Sequence, residues 1–322
     1  MYNSDEFYYA YFFLELSVPN PLTNDFCSTA LEFPQLPADG SCVTLSSNTM
    51  YATGEGISTC LGNSEYDIWY KFSAPQDRSL VIYELDAGIG VSMTVQLIEG
   101  TCEEFTIREC IPFSQIDDFS NLTPGEVYFI HVVSSGGSII APHTLCLRSG
   151  PIPPPNDDCN NSLSLTSTPG LFADPGPQST SGATDSDYDM CYPAHLTPSK
   201  TYDVWYSFTT DQDGGDATVT LTHAEYYPSV YYGYFNMVMQ GFEGSCGDFN
   251  TVGCFDEATA ISGIVDSTIT INFFGLLPLE TYYFRAFNST FTGNYAPIDF
   301  TLNAVGTALD PIVAVDEEIA SL

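Results

Sequence analysis

The chain has 322 residues, with 41 acidic against 6 basic side chains and a formal net charge of −35. A field of that sign repels nucleic acid and anionic lipid, and it favours divalent cations or a saline medium. Hydrophobic residues make up 44% of the chain, which excludes a disordered acidic tail, and the longest apolar run, Phe7–Leu14, is too short to cross a bilayer as a helix.

The N-terminus reads "MYNSDEFYYAYFFLELSVPNPL". It has no basic n-region and no small-residue cleavage site, so no signal peptide is visible. Within it, "FFLELSV" occupies the place that "HTLCLRS" and "FTLNAVG" hold further on, each the last strand of a repeat. Residues 1–18 therefore read as an orphan strand. An exposed strand this aromatic is an aggregation hazard. It packs back on the chain, belongs to a longer array, or completes a sheet in a neighbouring subunit. The side chains expected at such a subunit contact are Phe7, Tyr9, Tyr11, Phe13, Leu14 and Leu16.

From there two copies of one module follow, 19–150 and 151–306, with a tail over 307–322. "NDFC" (24–27) returns as "NDDC" (156–159), and "YDIWYKF" (66–72) returns as "YDVWYSF" (202–208). "IEGTCEEFTIREC" (98–110) is echoed by "FEGSCGDFNTVGC" (242–254), and "LTPGEVYFIHV" (122–132) by "LLPLETYYFRAF" (276–287). The order is the same in both, so the chain is a tandem duplication joined by the proline-rich "SGPIPPPN" (149–156). Short runs such as "SLVIYEL", "TVTLTH" and "STITINF" alternate apolar and polar residues between turn residues. That pattern predicts an all-β chain of two tandem β-sandwiches. In the heptapeptide, Ile68, Tyr70 and Phe72 face one way and Asp67, Trp69 and Lys71 the other. Bulk on both faces predicts a strand covered on each side.

Ten cysteines, eight of them in register between the copies, indicate an oxidising and hence extracellular or cell-surface setting. Local spacing suggests Cys102–Cys110 and Cys246–Cys254, which leaves Cys27–Cys60, Cys159–Cys191 and, peculiar to the first copy, Cys42–Cys146. Loop-closure entropy would make Cys42–Cys146 about 2 kcal/mol more stabilising than the tight pairs.

The words "PPPNDDC", "YDVWYSF", "GSCGDFNTVGC" and "LLPLETYYFRAF" resemble a module of large secreted and cell-surface bacterial proteins, related to the pre-peptidase C-terminal domains. The resemblance covers both copies. It implies jelly-roll-like sandwiches and an accessory or surface role, with calcium or carbohydrate bound in some relatives. It implies no catalytic residue. The first copy departs from it at Asp25-Phe26, where the second has Asp157-Asp158, so an acidic site at the module entrance is less secure there.

Hydrolase and phosphate-loop motifs are missing, and His131, His143, His195 and His223 are scattered without a nucleophile at a telling spacing. The chain is therefore read as no enzyme and without a cofactor motif. Calcium is the cation for which candidates exist: Asp185, Asp187 and Asp189 in "DSDYD", and Asp211, Asp213 and Asp216 in "DQDGGD". Tyr226, Tyr227, Tyr231, Tyr232 and Tyr234, in a segment that the first copy lacks, form a candidate ligand face for glycans or protein. The expectation is an extracellular structural or adhesive protein whose modules form or decorate a filament by self-association. The alternative is a non-catalytic carbohydrate-binding region of a larger secreted enzyme.

Overall fold

The computed structural model describes residues 22–309 apart from 51, 60–61, 64–65, 88–91, 113–115, 136–141, 166, 169–170, 173–176, 187, 189–200, 224–234, 257–267 and 291–296. Module 1 begins with β1 (Leu31–Glu32), β2 (Val43–Asn48), β3 (Ser58–Thr59) and β4 (Gly62–Asn63). It continues through β5 (Asp67–Ser73), β6 (Val81–Asp86), β7 (Ser92–Gly100) and β8 (Phe105–Pro112). It closes with β9 (Ile116–Phe119), β10 (Val127–Ser135) and β11 (Pro142–Ser149). Module 2 holds β12 (Leu163–Ser164), β13 (Ser167–Thr168), β14 (Leu171–Phe172) and β15 (Gln178–Ser179). Its long strands are β16 (Thr201–Thr209), β17 (Gly215–His223), β18 (Phe235–Ser245) and β19 (Asp248–Asp256). It ends with β20 (Thr268–Leu276), β21 (Thr281–Thr290) and β22 (Asp299–Val305).

Each module is a sandwich of a five-stranded and a four-stranded sheet. The orders are β1-β5-β10-β7-β8 over β2-β11-β6-β9, and β12-β16-β21-β18-β19 over β15-β22-β17-β20. The second pair repeats the first strand for strand. Both begin with a two-residue strand lying parallel to the heptapeptide strand, β1 on β5 and β12 on β16. The alternation read from the sequence is visible in β22, whose residues are exposed and buried by turns. The two cores lie between the sheets, built in module 1 around Ile68, Tyr70, Phe72, Tyr83 and Phe119, and in module 2 around Val204, Tyr206, Phe208, Phe273 and Phe284. Fully burying each large side chain of this kind is worth about 1.5–3 kcal/mol. The core of module 2 also takes in Ala308 and Leu309 from a short 3-10 turn, so the sandwich runs past residue 306.

The heptapeptide strand is covered on both faces, by different means. Ile68, Tyr70 and Phe72 enter the main core, whereas Trp69 lies under a second cluster with Cys27 and Ile98. β5 is one strand in from the edge, so the outer cover is the module's entry turn and a hairpin tip. Lys71 escapes burial and pairs with Glu32 at 3.0 Å.

The disulfides correct the pairing suggested by local spacing. Cys27 is bonded to Cys102 and Cys159 to Cys246, with Cα–Cα separations of 5.6 and 5.8 Å. Hence Cys102–Cys110 and Cys246–Cys254 do not form, and neither do Cys27–Cys60 and Cys159–Cys191. Cys102 sits at the turn before β8 and Cys110 well along that strand. The extended part alone, Phe105 to Cys110, spans roughly 17 Å, far beyond the 7 Å or so that a disulfide tolerates. Cys110 and Cys254 are also disulfide-bonded, while Cys60 and Cys191 lie outside the described residues. Cys42 is bonded to Cys146 across a sequence separation of 104, the pairing expected. The orphan strand of residues 1–18, with Phe7, Tyr9, Tyr11, Phe13, Leu14 and Leu16, lies outside the described residues.

Candidate functional site

The repeated words turn out to fasten one another. The amide of Asn24 donates to the Trp69 carbonyl at 3.2 Å while the Trp69 N–H donates to the Asn24 carbonyl; Asn156 and Trp205 repeat both contacts. The next residue clamps a loop. Asp25 accepts from the N–H and hydroxyl of Thr53 at 2.7 and 2.8 Å, and Asp157 accepts from those of Thr184 at 2.6 and 2.8 Å. Two residues further on, the cysteine is bonded to the tip of the β7–β8 or β18–β19 hairpin. In "LTPGEVY" and "LLPLETY" the tyrosine hydroxyl accepts a turn N–H, from Thr123 to Tyr128 and from Leu277 to Tyr282, each at 2.9 Å. The first aspartate of the entrance thus clamps a loop in the same way in both modules, while the second acid, Asp158, is Phe26 in module 1.

Beneath this outer cover each module buries a polar trio, at matching positions. In module 1, His131 Nε2 lies 2.9 Å from Asp67 Oδ2 and its Nδ1 lies 2.7 Å from Gln96 Oε1, with the ring stacked on Trp69 at 4.3 Å. In module 2, Arg285 takes the histidine's place. Its Nη1 donates to Asp203 Oδ2 at 2.8 Å and its Nε to Gln240 Oε1 at 3.1 Å, and its Nη2 donates to the Tyr188 carbonyl at 3.0 Å. Asp67, His131, Asp203 and Arg285 are all fully buried. Burial pushes the Asp203 carboxyl up to about 7, against the pull of Arg285 and Ser186. Sequence reading passed over these trios, although one signal was present: a lone cation in an otherwise apolar strand, opposite the aspartate of the heptapeptide.

Four of the six calcium candidates are described. Asp211 Oδ1 accepts the N–H groups of Asp213 and Gly214 at 2.9 and 3.0 Å, and Asp216 Oδ1 accepts that of Gly275 at 2.8 Å. These carboxylates hold backbone turns. Asp185 accepts from the Thr201 hydroxyl. Asp187 and Asp189 lie outside the described residues, as do Tyr226, Tyr227, Tyr231, Tyr232, Tyr234 and His195. Among the described residues no group of three or more His, Cys, Asp or Glu side chains could hold a metal ion. Of the other histidines, His143 is buried with Nε2 2.9 Å from the Tyr70 hydroxyl, and His223 is buried in β17.

Five of the six cations are described, and each pairs with a carboxylate. The pairs are Lys71–Glu32, Arg78–Asp77, Arg108–Glu99, Arg148–Glu84 and Arg285–Asp203. No basic patch remains among them for an anionic ligand. A cleft of about 450 Å³ at the entry of module 2 has the opposite character. Pro154, Pro155 and Pro177 frame it, and Asn161, Ser164 and Gln178 are among the amides and hydroxyls that line it, with no charged side chain. Gln178 Oε1 accepts from the Tyr206 hydroxyl at 3.2 Å, which anchors one wall to the core. Such a lining suits a neutral, hydroxyl-rich ligand. No helix of the described residues is long and apolar enough to cross a membrane.

A family model for a T9SS-associated domain, described as galactose binding domain-like, matches residues 23–141, the greater part of module 1. The match names that family rather than the pre-peptidase C-terminal domains. No curated protein matches the sequence. Among solved structures, the mitogen derived from Yersinia pseudotuberculosis shares 6% identity at a TM-score of 0.25, over 34% of this chain and 86% of that one. The CUB1-EGF-CUB2 domains of rat MASP-1 share 10% at 0.21, over 85% and 99%. The CBM22-1-CBM22-2 tandem domain of Paenibacillus barcinonensis Xyn10C shares 10% at 0.22, over 84% and 94%. None of these three likenesses bears on function. Module 1 is similar to a galactose-binding-like domain of T9SS-associated proteins, and module 2 repeats its strand order.

Proposed function

We propose that the chain is a non-catalytic carbohydrate-binding accessory region of a secreted protein. The match of residues 23–141 to a galactose-binding-like domain carries this reading. The neutral cleft of module 2 supports it, because amides and hydroxyls suit sugar hydroxyls and the acidic surface repels charged polymers. The bridges Cys27–Cys102, Cys42–Cys146 and Cys159–Cys246 fit an oxidising, extracellular setting, and the T9SS association of the family agrees with it. The polar trios supply no chemistry of their own, being sealed from solvent beneath the entry turn and hairpin. The adhesive filament is the second reading; the strand meant to build it, residues 1–18, lies outside the described residues, and the family match favours the accessory role.

A glycan array probed with the full chain tests the proposal. Neutral oligosaccharides should be retained and sulfated or uronic-acid polymers should not. Asn161→Ala with Ser164→Ala, both exposed in the cleft, should weaken retention about tenfold, the loss of one or two hydrogen bonds. Retention of no neutral glycan overturns the reading. Retention unchanged in the double variant removes the cleft from it.

A further inference from the structure

Four large apolar side chains stand exposed at one corner of module 2. Phe274 is 76% accessible, Leu279 66%, Leu277 63% and Val305 56%. The corner is firmly built. Gly275 N–H donates to Asp216 Oδ1 at 2.8 Å, Leu279 N–H to the Asp211 carbonyl at 2.9 Å, and the Thr210 hydroxyl to the Leu277 carbonyl at 2.6 Å. Asp216 N–H in turn donates to Thr307, which brings the end of β22 and Val305 to the same place. In a chain so acidic, an exposed apolar corner marks a contact.

Module 1 shows what such a corner meets. The pairing of Val81 with Phe119 matches that of Ala217 with Phe273, and the tyrosine contacts of Thr123 and Leu277 fix the same alignment beyond it. Ser120 then stands for Phe274, Asn121 for Gly275 and Thr123 for Leu277. Backbone φ agrees, at 54° for Asn121 and 63° for Gly275. In module 1 the Ser120 side of this corner meets the entry end of module 2, and Ser120 is buried there, while Thr123 stays exposed. The Asn121 amide donates to the Asp185 carbonyl at 3.0 Å, and the Tyr202 hydroxyl donates to Asp118, both side chains being buried.

The entry end of module 1 carries the equivalent parts. Tyr66 stands for Tyr202 in the heptapeptide, and the loop after Thr53 stands for the loop after Thr184, each tied by its aspartate. Cys27 N–H donates to Glu55 in that loop at 3.2 Å, which sets Phe26 beside it. Phe26 is 47% accessible, and module 2 has Asp158 at the same position. Within the chain, the corner of module 1 meets module 2 through polar groups, Asn121 with the Asp185 carbonyl and Asp118 with Tyr202. Among the described residues the other corner and the other entry carry exposed apolar side chains instead, Phe274, Leu277 and Leu279 at one and Phe26 at the other.

We propose that the corner of Phe274, Leu277 and Leu279 binds the entry end of module 1, around Phe26 and Tyr66, in a second copy of the chain. The contact is head-to-tail, repeats the module-to-module contact inside one chain, and makes no use of residues 1–18. Because the two surfaces differ, it does not close on itself, and copies add in a row.

Sedimentation velocity over a range of concentrations tests this with the full chain. The weight-average mass should climb with concentration past the dimer. Phe274→Asp with Leu277→Asp should keep the chain monomeric, and so should Phe26→Asp alone. All three residues are exposed, and an unchanged melting temperature verifies that the fold is kept. An equimolar mixture of the two variants retains one good surface of each kind, so it should give dimers and nothing larger. A native chain that stays monomeric throughout overturns the proposal. So does association that survives either variant, including the case in which only the Phe274 and Leu277 variant is monomeric, which would mean that the corner pairs with itself.

Discussion

Modules 1 and 2 share their strand order and fasteners, yet each sets a different basic side chain against the same buried aspartate. His131 between Asp67 and Gln96 is compact and stacks on Trp69, and among the described residues no bond from the trio to the covering loop is made. Arg285 between Asp203 and Gln240 is longer, and its guanidinium reaches through to the Tyr188 carbonyl, so the loop is part of the network. It also lies over aromatic rings, 4.8 Å from Phe287 and 5.8 Å from Trp205. The difference teaches that the outer cover of the five-stranded sheet is the constant feature, and the buried charge can be satisfied in more than one way. Each module also holds one of the two tryptophans, Trp69 or Trp205, so the fluorescence of single-tryptophan variants can follow the two unfolding events separately.

The largest expected break in the comparison is Arg285→Met. It leaves Asp203 buried without its partner and should destabilise module 2 by roughly 3–5 kcal/mol. Urea denaturation followed through Trp205 measures it, with Trp69 replaced by Phe. Module 1, followed through Trp69, should keep its midpoint. A loss shared equally by both modules would show that they unfold as one unit.

Next in size is the bridge that only module 1 possesses. Replacing Cys42 and Cys146 together by Ser should cost about 2–4 kcal/mol in module 1 alone. The sequence-based expectation set this bridge well above the others, because it took the shared bridges to be short. With Cys27–Cys102 closing 75 residues and Cys42–Cys146 closing 104, the entropic difference shrinks to about 0.3 kcal/mol.

Asp203 should give module 2 a pH dependence. Burial raises its native carboxyl to about 7, while in the unfolded chain it titrates near the ordinary 3.8. The native state therefore binds the extra proton between those values. The stability from this group is fully present below about pH 4 and is lost as pH rises through about 7, by at most about 1.4 kcal/mol per pH unit. Asp203→Asn should flatten that slope in the Trp205 signal, and an unchanged slope would assign it to other groups.

How much of this was legible in the sequence follows from the range over which each signal acts. The alternation of β22 and the two-sided burial of β5 are local, since side-chain direction in a strand is set by position alone. Repeats such as "NDDC" and "YDVWYSF" made the tandem sandwich readable without any contact being known. The disulfides were misread because the shared step from Cys102 to Cys110 was taken for a short loop, whereas most of it is the extended strand β8. The polar trios stayed hidden because Asp67, Gln96 and His131 come from three strands whose neighbourhood depends on the order β5-β10-β7. That Asp211 and Asp216 hold backbone turns was not legible, because an acid that caps a turn and an acid that binds calcium are written alike.

The smallest effect concerns one turn. Gly125 in "LTPG" has φ of 82°, and at the same place in module 2 Leu279 has φ of 57°. A residue with a Cβ in this left-handed region is strained by about 1–2 kcal/mol, whereas glycine is not. Leu279 is largely exposed, so little packing offsets the strain. Leu279→Gly should therefore stabilise module 2, by less than the full strain, because glycine also gives the unfolded chain more freedom. A gain of about 0.5–1 kcal/mol is expected. The converse, Gly125→Leu, should destabilise module 1 by more, because a Cβ there would stand 2.6 Å from the Gln76 amide and push it aside. If Leu279→Gly instead weakened module 2 in a monomeric sample, Leu279 would be contributing packing within its own chain. If it left stability raised and weakened self-association, the strain is kept for the contact that the exposed leucine makes with another copy.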